Sequence, residues 1–332
     1  MAHAAARSAF SFGLARFLLG LGESANFPAA VKSVAEWFPK KERALATGLF
    51  NSGSNIGAIT APIIVAAITL AYGWQWAFII TGALGFIWIL FWLISYRLPE
   101  NHPKLSREEF EHIHSDQEDV PVKPMKWKDL FTYRETIAIC LTRFVTDWVW
   151  WFYLFWTPDF LNNRFGVDIK LMVLPLIIIY SISGAGGIAG GWLSSFFIKR
   201  GKSIDYARKT TIFICAFMVL PVVFASMIPN IWVVTGIIAL AAAGHAAFAS
   251  NIFTVVSDIF PRKAVATVVG MSGFAGAIGG TLAASFVGLL LQFTGSYLLV
   301  FLIAGSMYFL AWGFLKLMIP VIQPKNMDSN RM

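Results

Sequence analysis

Residues 231–263 read IWVVTGIIALAAAGHAAFASNIFTVVSDIFPRK, and the fold is decided here. The run 231–259 carries one histidine and one acid among apolar and small residues. It exceeds the roughly 20 residues an α-helix needs to cross the hydrocarbon core of a bilayer. It then stops on Phe260-Pro261-Arg262-Lys263. Eight further stretches have this character: 9–37, 44–71, 75–96, 137–160, 171–198, 210–228, 264–293 and 297–319. An open strand edge in lipid leaves backbone groups unpaired, so all nine are expected to be helices.

Composition agrees. Of 332 residues, 57% are apolar and 13% charged, and the mean hydropathy is +0.67. Soluble domains run at roughly 45–50% apolar and about 25% charged, so an ordinary soluble enzyme is excluded and the lipid bilayer is the expected solvent. Cys140 and Cys215 lie inside apolar stretches, where no disulfide framework or metal site is indicated. There is no HExxH, no CxxC and no nucleophile elbow, and the five histidines are scattered, so neither catalysis nor a cofactor is expected. Residues 1–9 lack the apolar core of a secretory signal.

The net charge of +8 would suggest nucleic acid only if its cations formed one patch. Instead they alternate between loops. With the first helix running outside to inside, residues 39–43, the stretch 97–136, residues 199–209, Arg262 with Lys263, and the tail all fall on the cytoplasmic side. The other side keeps Arg7, Arg164 and Lys170. This is the positive-inside pattern. It gives an expected orientation, N-terminus outside and C-terminus cytoplasmic, with no nucleic-acid partner expected. The stretch 97–136 holds seven Lys or Arg and nine Asp or Glu, so it is expected to be a solvated linker. The expected organisation is three helices in 1–96, the linker 97–136, six helices in 137–320 and a tail, 321–332.

An internal repeat refines this. Glu36-Trp-Phe38-Pro39-Lys40-Lys41 matches Asp258-Ile-Phe260-Pro261-Arg262-Lys263 at an offset of 222, and Ala46-Thr47, Ser52-Gly53 and Ile56-Gly57 match Ala266-Thr267, Ser272-Gly273 and Ile278-Gly279. Parallel repeats around a central loop are a transporter architecture. If the first three helices repeat the last three, the middle three have no partner, and the parent fold has two halves of six. The expectation is therefore an all-α, multi-pass chain that is about three quarters of such a fold, lacking three helices before Met1.

The run Arg16-Phe-Leu-Leu-Gly20-Leu-Gly22-Glu23-Ser-Ala-Asn-Phe-Pro28-Ala, then Glu36-Trp37-Phe38-Pro39-Lys-Lys-Glu42-Arg43-Ala-Leu-Ala-Thr-Gly48 and Asn51-Ser-Gly53-Ser-Asn55-Ile-Gly57, resembles the fourth and fifth helices of the anion:cation symporter family in the major facilitator superfamily. The resemblance continues through Arg143-Phe144, Gly190-Gly191-Trp192-Leu193-Ser194, Gly244-His245 and Ser257-Asp258, and is closest to hexuronate (sugar-acid) transporters. Lys199-Arg200-Gly201-Lys202 resembles a degenerate copy of the superfamily's gating loop. The family's first three helices are not in this sequence.

Arg16 and Glu23 are seven residues apart, on one helix face with about 10.5 Å of rise between them. Each is costly in lipid, by about 2.5–3.5 kcal/mol at the bilayer centre. Gly13 and Gly20 leave that face open. The two residues either pair with another helix or act in transport, Arg16 attracting a carboxylate and Glu23 taking the coupling proton; the resemblance implies the second. The offset of 222 carries Glu23 onto His245, a second titratable group that is either a proton relay or a hydrogen-bonded packing group. Arg143 and Asp147 are an i,i+4 pair that either neutralises itself or meets substrate. Trp148, Trp150 and Trp151 follow near mid-span, where an interfacial belt would not put them. Trp148 or Trp151 stacks on a sugar ring or packs. Asn51, Ser54, Asn55, Ser250 and Asn251 bind either substrate hydroxyls or other helices. Glu36, Arg43, Asp258 and Arg262 sit at inner helix ends as gating or structural groups, with Lys32–Glu36 and Asp258–Arg262 expected as pairs. The glycine runs 184–191 and 270–280 are expected to be helix-packing seams.

The resemblance implies a monomeric secondary transporter that symports a sugar-acid anion, a hexuronate such as galacturonate or glucuronate, or an aldonate, with a proton. The residues leave sodium open as the coupling ion. The second reading is a non-transporting remnant or substrate sensor of the same family.

Overall fold

The computed structural model describes residues 1–115, 127–167 and 169–325, and every regular element among them is helical. In chain order these are α1 (Ala9–Glu23), α2 (Asn26–Trp37), α3 (Lys40–Tyr72), α4 (Trp74–Ser95), α5 (Arg107–His114), α6 (Trp127–Leu130), α7 (Arg134–Phe165), α8 (Ile169–Lys199), α9 (Ile204–Val219), α10 (Ile231–Ile259), α11 (Arg262–Thr294) and α12 (Leu298–Met318). Six helical stretches among the described residues are long and apolar enough to cross a membrane: Trp74–Ser95, Met172–Lys199, Ile204–Phe224, Ile231–Ile259, Lys263–Thr294 and Leu298–Met318.

Local chemistry sets the breaks. The apolar run 9–37 folds as two helices, because Pro28 has no N–H to offer the Ser24 carbonyl and its ring crowds that oxygen. The hydrogen-bond ladder is interrupted at Ser24–Ala25, although both residues keep right-handed torsions. Pro221 does the same to α9, which tightens into a 3-10 turn over Leu220–Phe224. The two copies of the repeat turn alike: Pro39 (φ −63°, ψ 154°) caps α3 and Pro261 (φ −64°, ψ 152°) caps α11. Gly73 joins α3 to α4 at φ +90°, a region side chains rarely enter.

Between lipid-dissolved helices there is little hydrophobic drive, so close contact of small residues does the work. Residues 241–259 of α10 are all buried. Gly186 and Gly190 of α8 face it. A Cβ added at Gly186 would lie 2.5 Å from the Cα of Ala243, and one at Gly190 2.6 Å from the Cα of Ala247. One residue further round the helix, Gly187 and Gly191 face α3, where a Cβ on Gly191 would meet the Ala44 carbonyl carbon at 2.7 Å. The seam expected over 184–191 therefore holds α8 between α10 and α3. Ser52 adds a polar stitch, donating to Gly184 O at 2.7 Å. Similarly α2 and α7 both pack on α11, and α12 on α7 and α9.

The stretch 97–136 is not wholly solvated. Ile113 and Leu130 are buried, and His112 approaches Glu42 at 3.4 Å, so α5 lies against the start of α3.

Candidate functional site

The two Phe-Pro motifs and the start of α9 meet at one end of the bundle. Arg43, buried, donates to the carbonyls of Phe38 (3.0 Å), Ala35 (3.1 Å) and Ser257 (2.8 Å). The first two brace the α2–α3 elbow and the third crosses to α10. Arg208, fully buried on α9, pairs with Asp258 at 2.8 Å, donates to Ser194 Oγ at 2.6 Å, and crosses the other way to Lys40 O at 3.0 Å. Each side of the repeat thus sends one guanidinium to a backbone carbonyl of the other. The two form a reciprocal clasp.

The clasp gives Asp258 a partner from a different helix, Arg208. The side chains of Arg262 and Asn55, and with them the expected Asp258–Arg262 pair, lie outside the described residues. Glu36 does pair with Lys32, at 3.6 Å, and also accepts a hydrogen bond from the Tyr96 hydroxyl at 2.8 Å. Burial first, and then the Glu36 carboxylate, push the Tyr96 phenol above its ordinary value, so it stays a donor.

Deeper in, α7, α10 and α12 build a second polar cluster. Arg143 and Asp147 pair at 2.7 Å, and the guanidinium lies 4.8 Å over the Phe253 ring. Trp150 is seven residues beyond Arg143 and so shares its face. Its indole stacks on His245 at 4.9 Å between centroids, and the His245 Nδ1 meets the Tyr308 hydroxyl at 2.6 Å. Tyr308 lies within electrostatic reach of Arg143, Asp147 and Tyr153. Two buried polar atoms here find no partner among the described residues: Arg143 Nε and the Tyr153 hydroxyl. An unmade hydrogen bond in such a place costs about 1–3 kcal/mol, more for a charged donor.

The remaining candidates divide. Asp147 and Trp151 sit one turn apart and press on Gly276 and Gly280 of α11, while Trp148 packs on Phe152 and Phe286. Trp150, not Trp148 or Trp151, is the aromatic at the polar cluster. Ser250 donates to Ala246 O at 2.9 Å; Asn251 donates to Ala247 O at 2.9 Å and Gly190 O at 3.1 Å, stitching α10 to α8. Arg16 and Glu23 are both exposed and make no hydrogen bond or ion pair with the described residues. Space around Gly13 and Gly20 is open, as expected for that face. Asn51 is half-buried and Ser54 exposed on α3.

Sequence reasoning missed Arg208 and Tyr308. Arg208 reads as one more cation of a basic loop, and only the start of α9 at Ile204 shows it to be internal. Tyr308 reads as apolar filler.

A family model described as Major Facilitator Superfamily matches residues 1–204. The hexuronate transporter of Escherichia coli K12 is 33% identical over 287 residues, covering 85% of this chain and 66% of its own. The galacturonate transporter of Dickeya chrysanthemi is 35% identical over 222 residues, covering 65% and 64%. The chain thus spans about two thirds of the length of these curated relatives. A solved proton:xylose symporter, XylE bound to 6-bromo-6-deoxy-D-glucose, superposes with a TM-score of 0.69 at 16% identity, covering 94% of this chain and 72% of that one. At that identity the likeness speaks for the fold alone.

Proposed function

The chain belongs to the Major Facilitator Superfamily, as a relative of sugar-acid transporters and not of enzymes, and we propose that it symports a sugar-acid anion with a proton across the cytoplasmic membrane, with hexuronates such as galacturonate and glucuronate favoured. The observation that carries this reading is Arg143 Nε, which has no partner among the described residues and is buried in a cluster walled by Trp150, His245 and Tyr308. A carboxylate is the acceptor such a donor lacks, and the aromatic wall suits the C–H face of a sugar ring.

In this reading nine helical spans cross the membrane, with the N-terminus outside and the clasp at the cytoplasmic end, and the protein works as a monomer. The closed clasp corresponds to the outward-facing state. The anion is attracted by Arg16 and Arg143, Glu23 takes the proton, and His245 occupies the matching position of the other half. Release then requires Arg43 and Arg208 to leave the carbonyls of Ser257 and Lys40, so that the halves rock.

The test is uptake of labelled galacturonate into proteoliposomes under an imposed pH gradient, with a sodium gradient as the comparison arm. Accumulation should follow the pH gradient and be lost in Glu23→Gln. Undiminished pH-driven accumulation in that variant removes Glu23 from the mechanism, and accumulation driven by sodium alone removes the proton.

A further inference from the structure

The end of α7 away from the clasp holds a feature the central site does not use. Trp156, Asp159 and Arg164 of α7 face Gln292 of α11 and Tyr297 at the start of α12 across a cavity of about 590 Å³, with Ser226 closing one side. Twelve residues separate Asp159 from Asp147, about 18 Å along the helix, so this space is distinct from the Arg143–Asp147 cluster. It is built wholly from α7, α11, the start of α12 and the chain just after the 3-10 turn Leu220–Phe224.

Its polar groups keep hydrogen-bonding capacity that the described residues do not use. The Tyr297 hydroxyl and Asn163 Nδ2 (3.0 Å) both donate to the same Asp159 oxygen, Oδ2, while Oδ1 accepts no hydrogen bond from the described residues. Burial, with the Asp159 carboxylate beside it, raises the Tyr297 phenol from its ordinary value, so this brace persists at neutral pH. Arg164 makes no hydrogen bond or ion pair with any described residue. The Ser226 hydroxyl is buried without a partner among them, an orphan that needs an acceptor or donor from outside. Trp156 adds an aromatic face, seated at 3.8 Å from where a side chain on Gly288 would begin.

A cation fork, an open carboxylate oxygen, an amide, a hydroxyl and two rings around a cavity within the roughly 300–1,000 Å³ range of ligand sites suit a hydroxylated ring that carries one carboxylate. We propose that this cavity is a second sugar-acid-binding site, which takes the anion from water ahead of the central Arg143–Asp147 pair. The proposal rests on the sugar-acid reading of the central site. Arg164 holds the carboxylate, Asp159 Oδ1 and Gln292 take ring hydroxyls, and Trp156 stacks on the ring.

The test is isothermal titration of the full chain in lipid nanodiscs with D-galacturonate, with sn-glycerol 3-phosphate as a headgroup competitor. Two sites are expected. Arg164→Gln and Gln292→Ala should each remove one, or weaken it at least tenfold, and Arg143→Gln should remove the other while the outer one remains. A single site, lost in Arg143→Gln and intact in Arg164→Gln and Gln292→Ala, overturns the second site and leaves the central reading standing. Displacement from the Arg164 site by glycerol 3-phosphate as effective as by galacturonate itself overturns it in favour of a lipid headgroup. No galacturonate binding to any form overturns both.

Discussion

Replacing Arg208 by Met should loosen the clasp as well as destabilise the fold, and the two effects separate by size. The guanidinium is fully buried and makes three polar contacts, to Asp258, Ser194 and the Lys40 carbonyl. Its loss leaves the Asp258 carboxylate, 1% exposed, with no counter-charge among the described residues. Breaking a buried ion pair from one side costs about 3–5 kcal/mol, which should appear as a large drop in unfolding temperature. Within this, only the Lys40 contact joins the two sides of the repeat. A hydrogen bond from a charged donor contributes about 1.5–3 kcal/mol. With about 1.4 kcal/mol per factor of ten, the open-to-closed ratio at this end should rise roughly tenfold to a hundredfold. Spin labels at Lys41→Cys and Lys199→Cys, with Cys140 and Cys215 replaced by Ala, report the separation of α3 and α8 at the clasp. Unaltered Arg208 should give one short distance and Arg208→Met a second, longer one, with Arg208→Lys between them. An unchanged distance distribution alongside a lowered unfolding temperature would refute the clasp and reduce Arg208 to packing.

Two other substitutions probe the seam and the buried histidine. Gly190→Leu drives a side chain into the backbone of α10 at Ala247, and overpacking of about 1–3 kcal/mol should lower the unfolding temperature, while Gly236→Leu, in open space, should not. Tyr308→Phe deprives the His245 Nδ1 of its partner at 2.6 Å, costing about 1–3 kcal/mol. Titration of the imidazole by NMR should then move relative to the unaltered protein, and an unmoved titration would count against this hydrogen bond.

Much of the architecture is legible in spacing. The motif Glu36-Trp-Phe38-Pro39 and its copy Asp258-Ile-Phe260-Pro261 identify the ends that the structure brings together, because proline fixes the same turn twice. Arg143 and Asp147 announce their pairing by lying one turn apart, and glycines 186, 187, 190 and 191 their packing role by recurring every three or four residues. What sequence hides is rotation and distance. Trp148, Trp150 and Trp151 are equivalent on paper, yet only Trp150 points at His245, since each step turns the side chain by about 100°. Arg208 finds Asp258 fifty residues away, a match no local window contains. Tyr308 lies in an apolar run and becomes polar in effect only when α12 meets α10.

Counterflow tests the central claim most directly. Proteoliposomes holding the chain are preloaded with unlabelled galacturonate and diluted into a trace of labelled galacturonate without any ion gradient, so that only a carrier with a passage can exchange the two. The account predicts a transient accumulation of label that is abolished in Arg143→Gln. Galacturonate binding without any such accumulation would contradict it, and would identify a site without a passage.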